Sequence, residues 1–444
     1  MSEFVHSVTL DKSICHGCTR CVKRCPTEAI RVHDGVAHIL TERCIDCGEC
    51  IRQCPHHAKK ANYDSPELLK NYDLTIALPA PALYGQFNNL EDTDLVLNAL
   101  KAYGFDRVFE VSAAAELVSD ATRHLMRAAT EEMKPFISSA CPAVVRLIRV
   151  RFPNLIDRVL PLIAPAELAA RLAREKAVEE TGIAPERIGV FFISPCPAKV
   201  TAVKMPIGSA HSEIDGVLAI KELYPKLCSL MKTAGDEPLS HAGRIGVSWA
   251  SSGGESSGLV SVDNYLAADG IENVIRVLED LEDEKLHDLA FVELNACAGG
   301  CVGGVLTVEN PYIARAKLAK LRRYMPVSEN HLPGSIPPKM LWDTDLEYLP
   351  VLELGSTRRE RFERYAQLEE IRAMLPDLDC GACGAPTCAA LAEDIVRGYN
   401  KLENCAFLMR KRMQEQMDNL QTVGFTPGLD APTIRPDQPK EETP

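Results

Sequence analysis

A cysteine motif that occurs twice near the start of the chain constrains its fold more than any other feature. The motif is C-x2-C-x2-C-x3-C-P, with cysteines at positions 15, 18, 21 and 25 and again at 44, 47, 50 and 54. Each cysteine of the second run follows its counterpart by 29 residues, so one small unit is repeated. A segment this short encloses little apolar core, and its fold must depend on what the thiolates bind.

The spacing of this repeat is typical of two iron-sulfur cubanes and resembles bacterial two-cluster ferredoxins. In such runs three thiolates bind one cubane and the fourth reaches the other. We therefore expect two 4Fe-4S clusters, one bound by Cys15, Cys18, Cys21 and Cys54 and the other by Cys44, Cys47, Cys50 and Cys25. Zinc is the alternative, but zinc favours separate four-ligand sets. Between the two runs, Asp34-Gly35 predicts a hairpin.

Composition limits the class of protein. The 444 residues suffice for about two to four domains, and the formal charge of −13 argues against binding nucleic acid. We see neither a secretory signal pattern nor the run of about 18 apolar residues that spans a membrane, so we expect a cytoplasmic protein. Its 17 cysteines should then stay reduced, which favours metal binding over disulfides.

From about residue 72 to 324, apolar runs typical of buried strands alternate with helical periodicity. This pattern predicts an α/β domain with mainly parallel sheet. The predicted strands are 74–78, 107–111, 136–138, 188–193, 217–220, 245–248 and 289–294, and the predicted helices include 113–130, 165–180 and 257–268.

A proline-rich connection follows from residue 325, and then a predicted helix over 356–375. A second cysteine segment, C-x2-C-x4-C-x16-C, comprises Cys380, Cys383, Cys388 and Cys405, the last within a predicted helix over 401–420. It is similar to the small Fe-S domain of corrinoid iron-sulfur proteins and electron-transport complex subunits, which implies one further 4Fe-4S cluster; zinc is again the alternative. We divide the chain into a ferredoxin domain at 1–62, an α/β domain at 72–324, a linker and helix at 325–375, a C-terminal Fe-S domain and helix at 376–421, and a disordered tail at 422–444.

Four of the five remaining cysteines are dispersed through the α/β domain. Cys141, Cys196 and Cys297 each come just after a predicted strand, and strand carboxyl ends meet at one edge of such sheets, so these distant thiols can converge. Cys301 lies four residues after Cys297, and one helical turn would place both on one face. Structural burial is the alternative for any one of these cysteines.

Three segments around these cysteines resemble the signature loops of iron-only (FeFe) hydrogenases: Ser-Ser-Ala-Cys-Pro at 138–142, Ser-Pro-Cys-Pro-Ala-Lys at 194–199 and Asn-Ala-Cys-Ala-Gly-Gly-Cys at 295–301. The resemblance implies a two-lobed catalytic domain of α/β class, preceded by a ferredoxin-like α+β domain and followed by a small helical Fe-S domain. It also implies that the four dispersed cysteines hold an H-cluster, a 4Fe-4S cubane joined through Cys301 to a two-iron unit with carbonyl, cyanide and dithiolate ligands. Lys199 would donate a hydrogen bond to a cyanide, Ala80 and Pro81 would contact the cofactor, and Lys199 and Cys301 are the expected catalytic residues.

The implied activity is interconversion of H2 with two protons and two electrons, with ferredoxin or another redox or signalling protein as partner and dedicated maturation enzymes to load the cofactor. Ala140 stands where the family normally has a proton-relaying cysteine, and Ser194 and Asn295 replace two methionines, which should make the pocket more polar. Losing a proton relay costs about 10²–10⁴ in rate. We therefore expect slow turnover and a sensory or regulatory role. The alternative is a non-catalytic electron-transfer or assembly protein that lacks the two-iron unit.

Overall fold

The structure, a computed structural model, describes residues 6–260, 262 and 264–422, the last three of these by backbone only. It divides into two compact units, residues 1–353 and 354–444. The tail expected to be disordered lies outside the described residues, apart from residue 422. Within the described part, no helix combines the length and apolar character needed to cross a membrane.

The described residues from 6 to 61 form a strand–helix–strand unit twice, in agreement with the repeat seen in the sequence. Its elements are β1 (Val8–Leu10), α1 (Arg20–Lys23), β2 (Ile30–His33), β3 (Val36–Ile39), α2 (Glu49–Gln53) and β4 (Lys59–Ala61). The strands pair antiparallel, β1 with β4 and β2 with β3. Asp34 and Gly35 both have positive φ, at 51° and 75°, which confirms the predicted tight hairpin turn.

The α/β part of the first compact unit begins at residue 74 and consists of strands separated by helices. In chain order they are β5 (Leu74–Pro79), α3 (Asp94–Tyr103), β6 (Arg107–Val108), α4 (Val111–Ala128), β7 (Phe136–Ile137), α5 (Pro142–Arg151), α6 (Pro165–Thr181), β8 (Ile188–Ser194), α7 (Pro197–Lys204), β9 (Gly216–Ala219), α8 (Ile220–Leu230), α9 (Arg244–Ser248), α10 (Gly254–Ser257), β10 (Tyr265–Asp269), α11 (Ile271–Glu282), β11 (Phe291–Asn295) and α12 (Pro311–Leu321).

These strands build two parallel sheets, one in the order β6-β5-β8-β9 and the other in the order β10-β11-β7. β5 and β8 are buried along their whole length, as expected for parallel strands covered by helices on both faces. The expected α/β class with parallel sheet is confirmed. Because both sheets are parallel, the loops that leave their carboxyl ends are free to build a site.

Two expected elements are wrong. The apolar run 245–248 is helix α9 rather than a strand. Glu116 of α4 accepts hydrogen bonds from the backbone N–H groups of Gly243 and Gly246, at 2.8 and 3.4 Å, and so supports the start of this helix. The expected helix 257–268 is helical only to Ser257, and β10 instead pairs with β11 along its full length. Short apolar runs do not reveal whether a helix or a strand forms, and here tertiary pairing decides.

The second unit contains α13 (Arg358–Met374), α14 (Cys388–Val396) and α15 (Ala406–Thr422). A small apolar core joins α13 and α14 and includes Leu375, Leu391 and Cys405. Cys405 comes directly before α15, not within the final helix as expected, because that helix begins only at Ala406.

Candidate active site and metal centres

The four dispersed cysteines converge at the carboxyl ends of strands from both sheets. Cys141 follows β7, Cys196 follows β8 and Cys297 follows β11. Burial raises the pKa of Cys196 to about 11, with further contributions from the thiolates of Cys301 and Cys141, while Lys199 acts in the opposite direction. Burial and the thiolates of Cys196, Cys141 and Cys301 likewise raise the pKa of Cys297. The thiols of Cys141, Cys196 and Cys301 therefore all lie near Cys297.

Glycines, rather than a helical turn, bring Cys297 and Cys301 together. Gly299 and Gly300 have φ values of 78° and 90°, and Cys301 begins a short 3₁₀ helix, so the expected α-helical turn is absent from this segment. A Cβ atom at Gly300 would lie 2.4 Å from the backbone nitrogen of Ser252. Only glycine fits this position, because both the conformation and the space exclude a side chain.

Lys199 supplies a buried cation to this group of thiols. It lies in the first turn of α7, three residues after Cys196, and its Nζ atom is 3.4 Å from Sγ of Cys301. Burial alone would lower the pKa of Lys199, but the thiolates of Cys301, Cys196 and Cys141 outweigh burial and raise it. A buried ammonium needs anionic partners, and four thiolates that carry an anionic inorganic group would provide them. The donor set thus fits an iron-sulfur centre.

Beside Cys301 lies a cavity of about 590 Å³. Its lining includes Cys301 and the other residues expected beside the two-iron unit, as well as the residue at the expected proton-relay position: Ala80, Pro81, Lys199 and Ala140. Asn295 also lines the cavity. Ser194 is absent from the described lining, contrary to the expectation that it makes the pocket more polar, because its hydroxyl donates a 3.0 Å hydrogen bond to the carbonyl of Cys196.

Two buried carboxyl groups face the same cavity, and sequence reasoning missed their role. Burial, together with the neighbouring carboxylate of Glu293, raises the pKa of Glu255 to about 8. Ser138 donates a 2.6 Å hydrogen bond to Glu255. Burial raises the pKa of Glu293 as well, but this carboxylate accepts hydrogen bonds from Gly253, Ser256 and Asn295, which favour its ionised form. Glu255 is therefore the proton-holding member of the pair at neutral pH.

The ferredoxin-like region brings its eight motif cysteines together as two sets. Cys15, Cys18, Cys21 and Cys54 line one cavity of about 340 Å³. Cys25 lies with the second run: burial and the thiolates of Cys25 and Cys50 raise the pKa of Cys47, and Cys25 is also among the charges that raise the pKa of Cys44. In each set the fourth thiol thus comes from the other half of the repeat, as the motif predicts for two cubanes. We name these the outer set (Cys15, Cys18, Cys21, Cys54) and the inner set (Cys25, Cys44, Cys47, Cys50).

The inner set is adjacent to the converging cysteines of the α/β domain. Cys297 is one of the charges that raise the pKa of Cys47. Arg52 of α2 donates a 2.8 Å hydrogen bond to the carbonyl of Gly303, two residues after Cys301. A Cβ atom at Gly48 would meet Val305 at 2.8 Å. The ferredoxin-like region therefore packs directly on the loop that carries Cys301.

The second unit gathers its own four cysteines. Cys388 and Cys405 are buried in its core and Cys383 packs against them. Burial raises the pKa of Cys383, and both Cys380 and Cys405 are among the charges that raise it further. Asp379 accepts a 2.6 Å hydrogen bond from the backbone of Cys388, while Gly381 and Gly384 have positive φ and shape the loop.

The match to a known protein family identifies the family of this chain. Residues 73–261 and 255–305, together more than half of the chain, match the family described as iron only hydrogenase large subunit, C-terminal domain. The chain belongs to the iron-only hydrogenase family. Residues 7–55 match the 4Fe-4S dicluster domain, and residues 375–407 match an Fe-S cluster family.

Known hydrogenases align with much of the chain at low identity. The NADP-reducing hydrogenase subunit HndD of Solidesulfovibrio fructosivorans is 25% identical over 359 residues, which cover 67% of this chain and 56% of that protein. Iron hydrogenase 1 of Clostridium pasteurianum is 22% identical over 373 residues, covering 67% and 64% of the two chains. The chain therefore spans less than two thirds of the length of these curated relatives.

Structural comparison confirms the fold. A variant of the FeFe-hydrogenase HydA1 from Chlamydomonas reinhardtii superposes with a TM-score of 0.50 at 17% identity, covering 62% of this chain and 95% of that one. The chain is thus an iron-sulfur protein with a hydrogenase fold, a region that matches a 4Fe-4S dicluster domain and a C-terminal segment that matches an Fe-S cluster family. The sequence alone does not predict Glu255 as a site residue, because it follows Gly253-Gly254 and a glutamate in such a segment is usually exposed to solvent.

Proposed function

We propose that Cys141, Cys196, Cys297 and Cys301 hold an H-cluster, and that the chain is a slow FeFe-hydrogenase with a sensory or regulatory role. The observation that carries this proposal is the position of Lys199, a partly buried cation whose Nζ atom lies 3.4 Å from Sγ of Cys301 and which lines the same pocket as Cys301. A structural zinc or a simple cubane has no need of a cavity beside its fourth ligand or of a buried lysine pointing at that ligand.

When bound, the group supplies the site at which H2 interconverts with two protons and two electrons. Cys301 and Lys199 are the proposed catalytic residues: Cys301 would help to hold the two-iron unit, and Lys199 would donate a hydrogen bond to its anionic ligands. Ala80 and Pro81 contribute apolar surface to the same pocket.

Proton handling falls to groups other than the residue at position 140. The methyl group of Ala140 lines the pocket and cannot carry a proton. Glu255 faces the same pocket and holds a proton at neutral pH, and Ser138 donates to its carboxyl group. We propose that Glu255 exchanges protons with the pocket inefficiently, because position 140 is an alanine and offers no thiol to relay them. Slow turnover of this kind suits a protein that reports H2 rather than one that consumes it in bulk.

Electrons are proposed to travel through the ferredoxin-like region. The neighbouring thiols of Cys297 and Cys47 support exchange between the pocket and the inner set, and the outer set continues the path to Cys18, which is exposed to solvent. A ferredoxin or another redox or signalling protein is the proposed partner at that surface. The C-terminal cluster is proposed to be a further 4Fe-4S centre held by Cys380, Cys383, Cys388 and Cys405.

Infrared spectroscopy of protein loaded by the hydrogenase maturation enzymes tests the proposal. We expect carbonyl and cyanide bands, and slow uptake of H2 with an artificial dye as electron acceptor. Matured protein that contains its full iron but has no such bands would contradict the proposal. That result would instead favour a non-catalytic electron-transfer or assembly protein that never receives the two-iron unit.

A further inference from the structure

A buried lysine in the ferredoxin-like region has no partner of its own. Lys59 of β4 is 2% exposed, and among the described residues its Nζ atom has no hydrogen-bond partner. An ammonium group buried without a partner is costly, and such groups are normally paired with a negative charge. The position of this side chain therefore indicates a ligand at its end.

The register of the strand directs Lys59 inward. Lys59 pairs with Leu10 across the β1–β4 ladder and lines the cavity of the outer set. Lys60, the next residue, points to the opposite face and forms an exposed ion pair with Asp11 at 3.0 Å. Successive side chains of a strand alternate between its two faces, so one lysine reaches the cavity and the other reaches solvent.

Lys59 lines one cavity together with all four thiols of the outer set, and no thiol of the inner set belongs to the described lining of that cavity. Burial raises the pKa of Cys21, and Lys59 is the largest influence in the opposite direction. For Cys50 of the inner set, burial and the thiolates of Cys44 and Cys25 come first, and Lys59 opposes them more weakly than these thiolates raise the pKa.

The inner set has a buried charge of the other sign. Asp46 is 1% exposed and is among the charges that raise the pKa of Cys44. Its carboxylate already has partners within the protein, since it accepts hydrogen bonds from Val8 and Thr201, both at 2.8 Å, and lies 3.7 Å from Arg146. The two sets thus differ in electrostatic surroundings: among the described residues, the buried cation near the inner set, Arg146, faces the carboxylate of Asp46, whereas Lys59 beside the outer set has no carboxylate partner.

We propose that Lys59 interacts directly with the cluster of the outer set and raises its reduction potential above that of the inner cluster. Reduction adds one negative charge to a cluster, and a fixed positive charge beside it stabilises that added charge. The outer cluster then becomes the terminal acceptor for electrons that arrive through the inner one. This last consequence rests on the proposed function, whereas the difference in potential does not.

A redox titration of the full chain, followed by electron paramagnetic resonance, tests this inference without maturation, because only the cubanes are observed. A Cys18→Ser variant identifies the signal of the outer cluster. In Lys59→Met, we expect the reduced-to-oxidised ratio of that cluster at a fixed potential to fall about tenfold or more, which is about 59 mV for a one-electron couple. Lys60→Met removes a charge one residue away and should leave the reduction potential of the outer cluster unchanged.

Two further variants separate charge from structure. Lys59→Gln removes the charge but keeps a donor, and its potential should fall, whereas Lys59→Arg should restore most of the potential. An unchanged potential in Lys59→Met with full iron content, or an equal shift in Lys60→Met, would overturn the inference. So would loss of the outer cluster from both Lys59→Met and Lys59→Gln, because Lys59 would then serve assembly alone. Failure of the hydrogenase proposal would leave these results unaffected.

Discussion

Replacing Glu255 with glutamine should remove the proton carrier of the pocket while keeping its shape. With a pKa of about 8, this carboxyl group is about nine tenths protonated at pH 7, whereas at its usual value it would be almost fully ionised. Glutamine preserves the contact with Ser138 but cannot exchange a proton. We expect the rate of H2 evolution to fall by about 10²-fold or more, the lower end of the range for general acid–base groups.

The pH dependence of the H2 evolution rate tests the role of Glu255 more sharply than the rate at a single pH. Evolution of H2 requires the protonated acid, so activity of the unmodified protein should decline as the pH rises through about 8, where Glu255 loses its proton. This inflection should be absent from Glu255→Gln. Rates are measured with a reduced dye as donor, on protein whose carbonyl and cyanide infrared bands show an intact cofactor.

A matched control is available in Glu110. Burial raises the pKa of this carboxyl group too, but it binds Tyr84 and the backbone of His241 and lies outside the described lining of the pocket. Glu110→Gln should therefore keep the inflection. If Glu255→Gln kept both its rate and its inflection, or if Glu110→Gln lost the inflection as well, the assignment of Glu255 would be refuted.

The raised pKa of Glu255 also affects the free energy of unfolding. The folded protein keeps the Glu255 proton up to a pH of about 8, whereas the unfolded chain releases it above about 4.5. This carboxyl group therefore lowers the free energy of unfolding as the pH rises through that window, by a total on the order of 5 kcal/mol. Thermal unfolding of Glu255→Gln should show a smaller loss of stability between pH 6 and 9 than the unmodified protein.

Three other variants test the remaining assignments. Ala140→Cys restores a thiol at the wall of the pocket and should raise H2 turnover by about 10-fold or more in a dye assay; an unchanged or lower rate would show that protons take a path that avoids this position. Lys199→Met removes the buried cation beside Cys301, and infrared bands of the two-iron unit should disappear while the iron of the cubanes remains; retention of the bands would contradict the role given to Lys199. Cys388→Ser should remove about four irons per chain without altering the infrared bands, whereas loss of zinc instead of iron would assign a zinc site to the C-terminal segment.

Much of the chemistry could be predicted because it depends on short spacings. Cysteines with two or three residues between them can bind one cubane whatever surrounds them, so the motif already indicated the outer and inner sets. Convergence of Cys141, Cys196 and Cys297 required only the rule that parallel strands share a carboxyl edge. Both inferences rest on geometry that the chain carries locally.

The errors arose where distant contacts decide. The run 245–248 becomes helical because Glu116, more than a hundred residues earlier, supports its first turn. β10 exists because β11 provides a partner. Glu255 has an unusual proton affinity only because the fold buries it beside Glu293, and no local pattern reports that burial. Such features depend on the assembled core rather than on neighbouring residues.

The hydrogen bond from Arg52 to Gly303 has a consequence for how this protein can be divided or recombined. The ferredoxin-like region also supports the loop that follows Cys301, since Arg52 donates a hydrogen bond to the carbonyl of Gly303 and Gly48 packs closely against Val305. Grafting a foreign ferredoxin in its place would leave that carbonyl unsatisfied and the loop unsupported. A replacement ferredoxin region would therefore need its own donor to the carbonyl of Gly303 and a residue as small as Gly48 beside Val305.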